Sequence, residues 1–153
     1  GGDASKGPGE SMDMMVVNTQ TLKDNPALGK ALTGAWFEVV ALMNAKNAAS
    51  TAALEHMAKA SGTDLKGFQA QLDTTKLFAT PKEALAFATS AQLPATLRKV
   101  AEFSFKHGLL GEGARDASAV GMSFANGITS GDTANLKLHF DPSYVQMAAD
   151  GTL

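Results

Sequence analysis

After Asn25-Pro26, apolar residues recur at spacings of three and four, so that Leu28, Leu32, Ala35, Val39 and Met43 fall on one stripe, with Lys30, Thr33 and Glu38 off it. The pattern predicts a long helix with one buried face. Its start is marked chemically: an asparagine side chain can accept from free amide hydrogens, and proline at the first helical position forfeits no hydrogen bond. A second helix is expected over residues 48–59, with Leu54, Met57 and Ala58 inward and Ser61-Gly62 ending it. Thr63 or Asp64 can cap a third, whose Leu65, Phe68 and Leu72 share a face. Thr80-Pro81-Lys82-Glu83 has the form of a capping box, which predicts a helix to about Thr89 with residues 76–79 extended before it. A further helix over residues 93–106 would carry Leu97, Val100 and Phe103 inward. It would stop at His107-Gly108, with Leu109 folding back on Phe103.

Other stretches alternate or are evenly apolar. Residues 12–18, Met-Asp-Met-Met-Val-Val-Asn, suggest a buried strand. Leu136, Leu138 and Phe140 alternate with Lys137 and His139, the period of a strand with one buried face, and Asp141-Pro142 then begins a short helix containing Tyr144, Val145 and Met147. Between them, residues 110–134 are rich in Gly, Ser, Ala and Asn and predict loop, with one short helix or strand at the apolar patch Ala119-Val120-Gly121-Met122. The first ten residues are Gly-rich and polar, and no internal repeat is present.

Composition narrows the function classes. A hydrophobic fraction of 44% over 153 residues suffices for one globular core, while a charged fraction of 18% and a net charge of −2 give no broad field for phosphate backbones or anionic lipid. There is no cysteine, which excludes disulfides and thiolate chemistry. The N-terminal residues have no apolar stretch after a basic start, so the chain reads as a soluble, mature or truncated segment.

Candidate chemistry is sparse. His56, His107 and His139 are scattered over three expected elements with no metal-ligand spacing, so no metal site is expected. His107 has a local role beside the carbonyls of a helix end, and His139 falls on the outward face of its strand. Gly108, Gly111 and Gly113 have no following Lys-Ser or Lys-Thr pair, and no serine lies in a Gly-x-Ser-x-Gly elbow. Catalytic residues are therefore not expected. Trp36, the single tryptophan, sits beside the main apolar stripe and reads as a packing aromatic, with ligand contact as the alternative. Glu10 follows Pro8-Gly9 before the first expected strand, where a carboxylate could meet a cationic or amide-bearing ligand.

Several stretches in order resemble the nitrate, sulfonate and taurine class of solute-binding proteins of ABC importers, closest to the branch associated with urea carboxylase. They are Pro8-Gly9-Glu10, Met15-Val16-Val17-Asn18-Thr19, Asn25-Pro26-Ala27-Leu28-Gly29-Lys30-Ala31-Leu32-Thr33-Gly34-Ala35-Trp36, Phe103-Ser104-Phe105-Lys106-His107-Gly108-Leu109-Leu110-Gly111-Glu112-Gly113-Ala114, Leu136-Lys137-Leu138-His139-Phe140-Asp141 with Tyr144, and Ala148-Ala149-Asp150-Gly151.

The resemblance implies an α/β chain, the C-terminal segment of a two-lobed periplasmic-binding-protein fold of type II, mostly helical with a few short strands. Residues 1–18 would be a loop and a strand crossing from the second lobe, and residues 19–153 the helical part returning to the first. The implied function is capture of a small polar nitrogen or sulfur compound, urea-like by preference, in the periplasm and without catalysis or cofactor. Its implied partners are the solute, the membrane permease and a missing N-terminal lobe, or self-association in that lobe's absence. Glu10 and Trp36 would be its candidate ligand contacts. The alternatives are a thiamin-pyrimidine-synthase-like enzyme, whose histidine and cysteine clusters are absent from this sequence, and a self-contained helical interaction module.

Overall fold

The computed structural model of the chain describes residues 12–153. Six helices come first: α1 (Thr19–Asp24), α2 (Pro26–Asn44), α3 (Ala48–Ala60), α4 (Leu65–Asp73), α5 (Pro81–Ala88) and α6 (Gln92–Lys106). The strands β1 (Gly121–Ser123), β2 (Thr129–Ser130) and β3 (Leu136–His139) follow, and α7 (Ser143–Asp150) comes last. Among the described residues the chain is thus mostly helical with one small sheet. That sheet is mixed, in the order β2-β1-β3, with β1 antiparallel to β2 and parallel to β3.

The helix boundaries follow from local chemistry. Asn18 caps α1 by accepting from the Thr21 amide at 3.1 Å. Asn25 makes no side-chain cap, because it also ends α1, its amide donating to the Thr21 carbonyl; Pro26 alone marks the start of α2. Between α2 and α3 the chain reverses through Lys46 at a left-handed φ of 51°, and Asn47 and Ser50 then form a reciprocal capping box. With its hydroxyl engaged in both directions, Ser50 is buried without an unmet polar atom. At the end of α3, Gly62 takes a positive φ, and the Gly62 and Thr63 amides donate back to the Lys59 and Ala58 carbonyls. Gly108 ends α6 in the same way, with Leu109 donating to Ser104 at 2.8 Å. Asp64 and Thr80 cap α4 and α5 as the sequence predicts. The Glu83 carboxylate, however, accepts from Ala79 at 2.9 Å, one residue upstream of the amide expected for a capping box.

Residues 12–18 do not form the expected strand; the stretch is irregular up to the Asn18 cap, and Met14, Met15 and Val16 are exposed. A strand needs a ladder partner, and the sheet among the described residues pairs only β2, β1 and β3 with one another. The Ala119-Val120-Gly121-Met122 patch does lead into a strand, β1, whereas β2 and the two single turns of 3₁₀ helix at Ala125–Gly127 and Thr133–Asn135 were not anticipated.

The main core forms where α6 covers the sheet. Leu93, Leu97, Met122 and Phe124 are buried together, with Met12, Phe87, Ala101 and Phe140 packed around them. The Phe124 and Phe140 rings stack at 4.9 Å between centroids and 8° apart. Only the first part of α6 lies over this core, so Val100 and Phe103, expected inward, are exposed; the Phe103 ring lies 4.2 Å from that of His107. Phe103 at 58% and Leu109 at 67% exposure gain little from each other. In β3, Leu136 and Phe140 are half-buried as expected, but Leu138 is exposed.

A second packing region joins α2 to α3 and α7. Val40 is buried, Leu28, Leu32 and Met43 are half-buried, and Val39, placed in the same stripe by its spacing, is 40% exposed. The inner face of α2 is set by its neighbours instead: a Cβ on Gly29 would overlap the Tyr144 ring of α7, lying 2.6 Å from Cε1. Glycine is therefore what lets these two helices approach.

Candidate functional site

Among the described residues, two hollows on the surface stand out. One, of about 500 Å³, lies between the end of α2, the start of α3 and the end of α4, against Met43, Leu54 and Leu72. Its polar groups are largely occupied: Asn44 donates to the Val40 carbonyl, and Ser50 is held in its capping box. The other, of about 440 Å³, is lined by Thr19, Lys23, Ser123, His139, Phe140 and Asp141. It brings together side chains with unlike chemistry, so it is the candidate site.

The sheet builds this second hollow. Ser123 is the last residue of β1 and His139 the last of β3, and the parallel register places them opposite each other, beyond an irregularity at Gly121 and Met122. Parallel strands present their side chains in step, so the Ser123 Oγ and the His139 Nδ1 share a hydrogen bond of 2.7 Å. The backbone fixes the pair: the Phe140 amide donates to the Ser123 carbonyl at 2.9 Å, and the Phe124 amide to that of Ile128 at 2.8 Å. Successive side chains alternate across a strand, so Phe124 and Phe140 go to the core while the hydroxyl and imidazole stay accessible. The other charged groups are Lys23, in the last turn of α1, and Asp141. One oxygen of Asp141 accepts from the Ser143 amide at 2.8 Å, which orients the carboxylate at the head of α7.

His139 is exposed, as its alternation predicts, but it is not isolated. Its partner lies 16 residues away in a stretch read as loop, and spacing alone could not find it. The one available hint is that β1 and β3 both end in a polar residue followed by phenylalanine, Ser123-Phe124 and His139-Phe140. Trp36 is exposed on α2 and lines neither hollow, and Glu10 lies outside the described residues. Among the described residues no three His, Cys, Asp or Glu side chains converge to hold a metal ion. Nor is any helix among them long and apolar enough to cross a membrane.

In the loop before β1, Ser118 donates both its hydroxyl and its amide to Asp116, and these bonds hold the carboxyl below the ordinary carboxylate range. Because the folded-state value is the lower one, the contribution is full above the unfolded-state value and fades as pH falls through the folded one. Ser118→Ala is expected to move the Asp116 titration upward in an NMR pH series; an unchanged midpoint would show that the hydroxyl is not its cause.

No family model matches the chain, and neither the curated proteins nor the solved structures contain a significant match to it.

Proposed function

We propose that the chain is the C-terminal segment of a solute-binding protein of an ABC importer, with the two-lobed type II periplasmic fold and a small polar nitrogen or sulfur solute, urea-like by preference. Binding would take place by closure of two lobes, with no bond made or broken, and the loaded protein would dock on a membrane permease from the periplasm.

The observation that carries this reading is the open face of α2. Its 19 residues include only Lys30 and Glu38 as charges, yet only Gly29 and Val40 are buried. A helix with so few charges and large apolar side chains outside its main stripe belongs against a larger core. Here Trp36, Val39 and Leu42 stand exposed on it. The surface area points the same way. It is 10502 Å², where a compact monomer of this mass has about 7,300 Å². Residues 1–11, even fully extended, would account for about 1,400 Å² of that excess. Roughly 1,800 Å² remains, more than the ~800 Å² one partner contributes to a standard interface. A second lobe, supplied by another segment or chain, would cover it. The candidate hollow is likewise open to solvent, whereas sites that retain a small ligand surround most of it.

Calorimetric titration with urea, guanidinium, taurine and nitrate tests the proposal, alongside light scattering. The chain alone is expected to give no binding heat up to about 1 mM solute and to self-associate through its open apolar surface. Tight binding by a well-behaved monomer would overturn the reading.

A further inference from the structure

We propose that Ser123 is a nucleophile activated by His139, and that the hollow around them supports acyl transfer from small activated esters to water. This goes beyond solute capture and does not depend on it.

The geometry is that of a nucleophile and its base. A serine hydroxyl is a poor nucleophile until a neighbouring group can take its proton, which requires a heavy-atom separation of about 2.6–3.2 Å. Ser123 Oγ lies 2.7 Å from His139 Nδ1. In the tautomer with its proton on Nε2, Nδ1 accepts the hydroxyl hydrogen. Both residues sit on paired strand ends held by backbone hydrogen bonds, so the separation is preorganised and does not rest on two mobile loops. The hollow beside them is open to solvent, and Lys23 is among the residues that line it.

The step balances within these groups and water. Oγ bonds to the acyl carbon as its proton passes to Nδ1, and the carbonyl electron pair moves onto oxygen. The pair then returns to re-form the carbonyl, the C–O bond to the leaving alcohol breaks, and the alcohol takes the proton from Nδ1. Water repeats the sequence on acyl-Ser123, its proton passing through Nδ1 to Oγ, and releases the acid. No oxidant, metal or other co-reactant is consumed.

The test is labelling of the intact chain with a fluorophosphonate, with the modified residue located by peptide mass spectrometry, and release of nitrophenol from p-nitrophenyl acetate followed in parallel. Label is expected on Ser123 in preference to Ser118 and Ser143, with loss of turnover in Ser123→Ala. His139→Asn keeps a hydrogen-bond acceptor at the reach of Nδ1 but cannot serve as the base, so labelling should slow by about 100-fold. His139 is exposed, and circular dichroism melting of the variant should match the parent. Label spread evenly over the serines, or an unchanged labelling rate in a folded His139→Asn variant, would overturn the proposal.

Discussion

Truncating Leu97 to alanine should lower the melting temperature of the chain by about 5–15 °C. Leu97 is 6% exposed and stands at the centre of the contact between α6 and the sheet, against Leu93, Met122 and Phe124. Removing its branched end forfeits the transfer of that surface from water and leaves a gap that its neighbours fill only in part, which costs about 2–5 kcal/mol for a leucine. Few other residues can compensate, since the buried apolar set among the described residues is short. Phe103→Ala is the matched control. By spacing alone Phe103 shares the inner face with Leu97, but at 58% exposure its loss should cost less than ~1 kcal/mol. Thermal melts followed at 222 nm decide the matter, and equal effects from the two substitutions would mean that α6 is not seated as described.

The second large effect is expected from Gly121→Ala. Gly121 is fully enclosed where β1 meets the turn before β3. An added Cβ would fall on the carbonyl oxygen of Asp132 and lie 2.7 Å from that of Asn135. Both obstacles are backbone, so no rotamer change can relieve them, and the strand must shift at a cost of about 3 kcal/mol or more. A shift there would also displace Ser123 from His139, since the two strands are paired immediately beyond it. At Gly113 a methyl group meets nothing within 4 Å, so Gly113→Ala should be nearly neutral. Urea unfolding of the two variants compares them directly: similar midpoints would refute the enclosure of Gly121.

The contrast between these positions marks where the sequence is informative. Helix ends were legible because caps are local: Asp64, Thr80, Gly62 and Gly108 act within a few residues of themselves. The inward faces were less so. Spacing puts Val39 and Val40 near the same stripe, and the choice between them falls to α3, which folds back on α2, and to α7, which approaches it from a distant part of the chain. The strand expected at residues 12–18 was a matter of composition, and composition does not supply a ladder partner. The parallel pairing of β1 with β3 has no local signal in the sequence, and the candidate site depends wholly on it. Ser123 was hidden in a Gly- and Ser-rich stretch, and His139 had an unremarkable place on an outward face. Only their register brings them together.

The exposed Trp36 also has a spectroscopic meaning. It is the single indole in the chain, and the single tyrosine, Tyr144, is already half-buried against α2. Near-ultraviolet excitation at the red edge therefore reports one place, the outer side of α2, in contact with water. Whatever covers that helix must change the emission colour and the quencher access of this one residue, so the molecule carries an intrinsic, label-free gauge of the occupancy of its most apolar face.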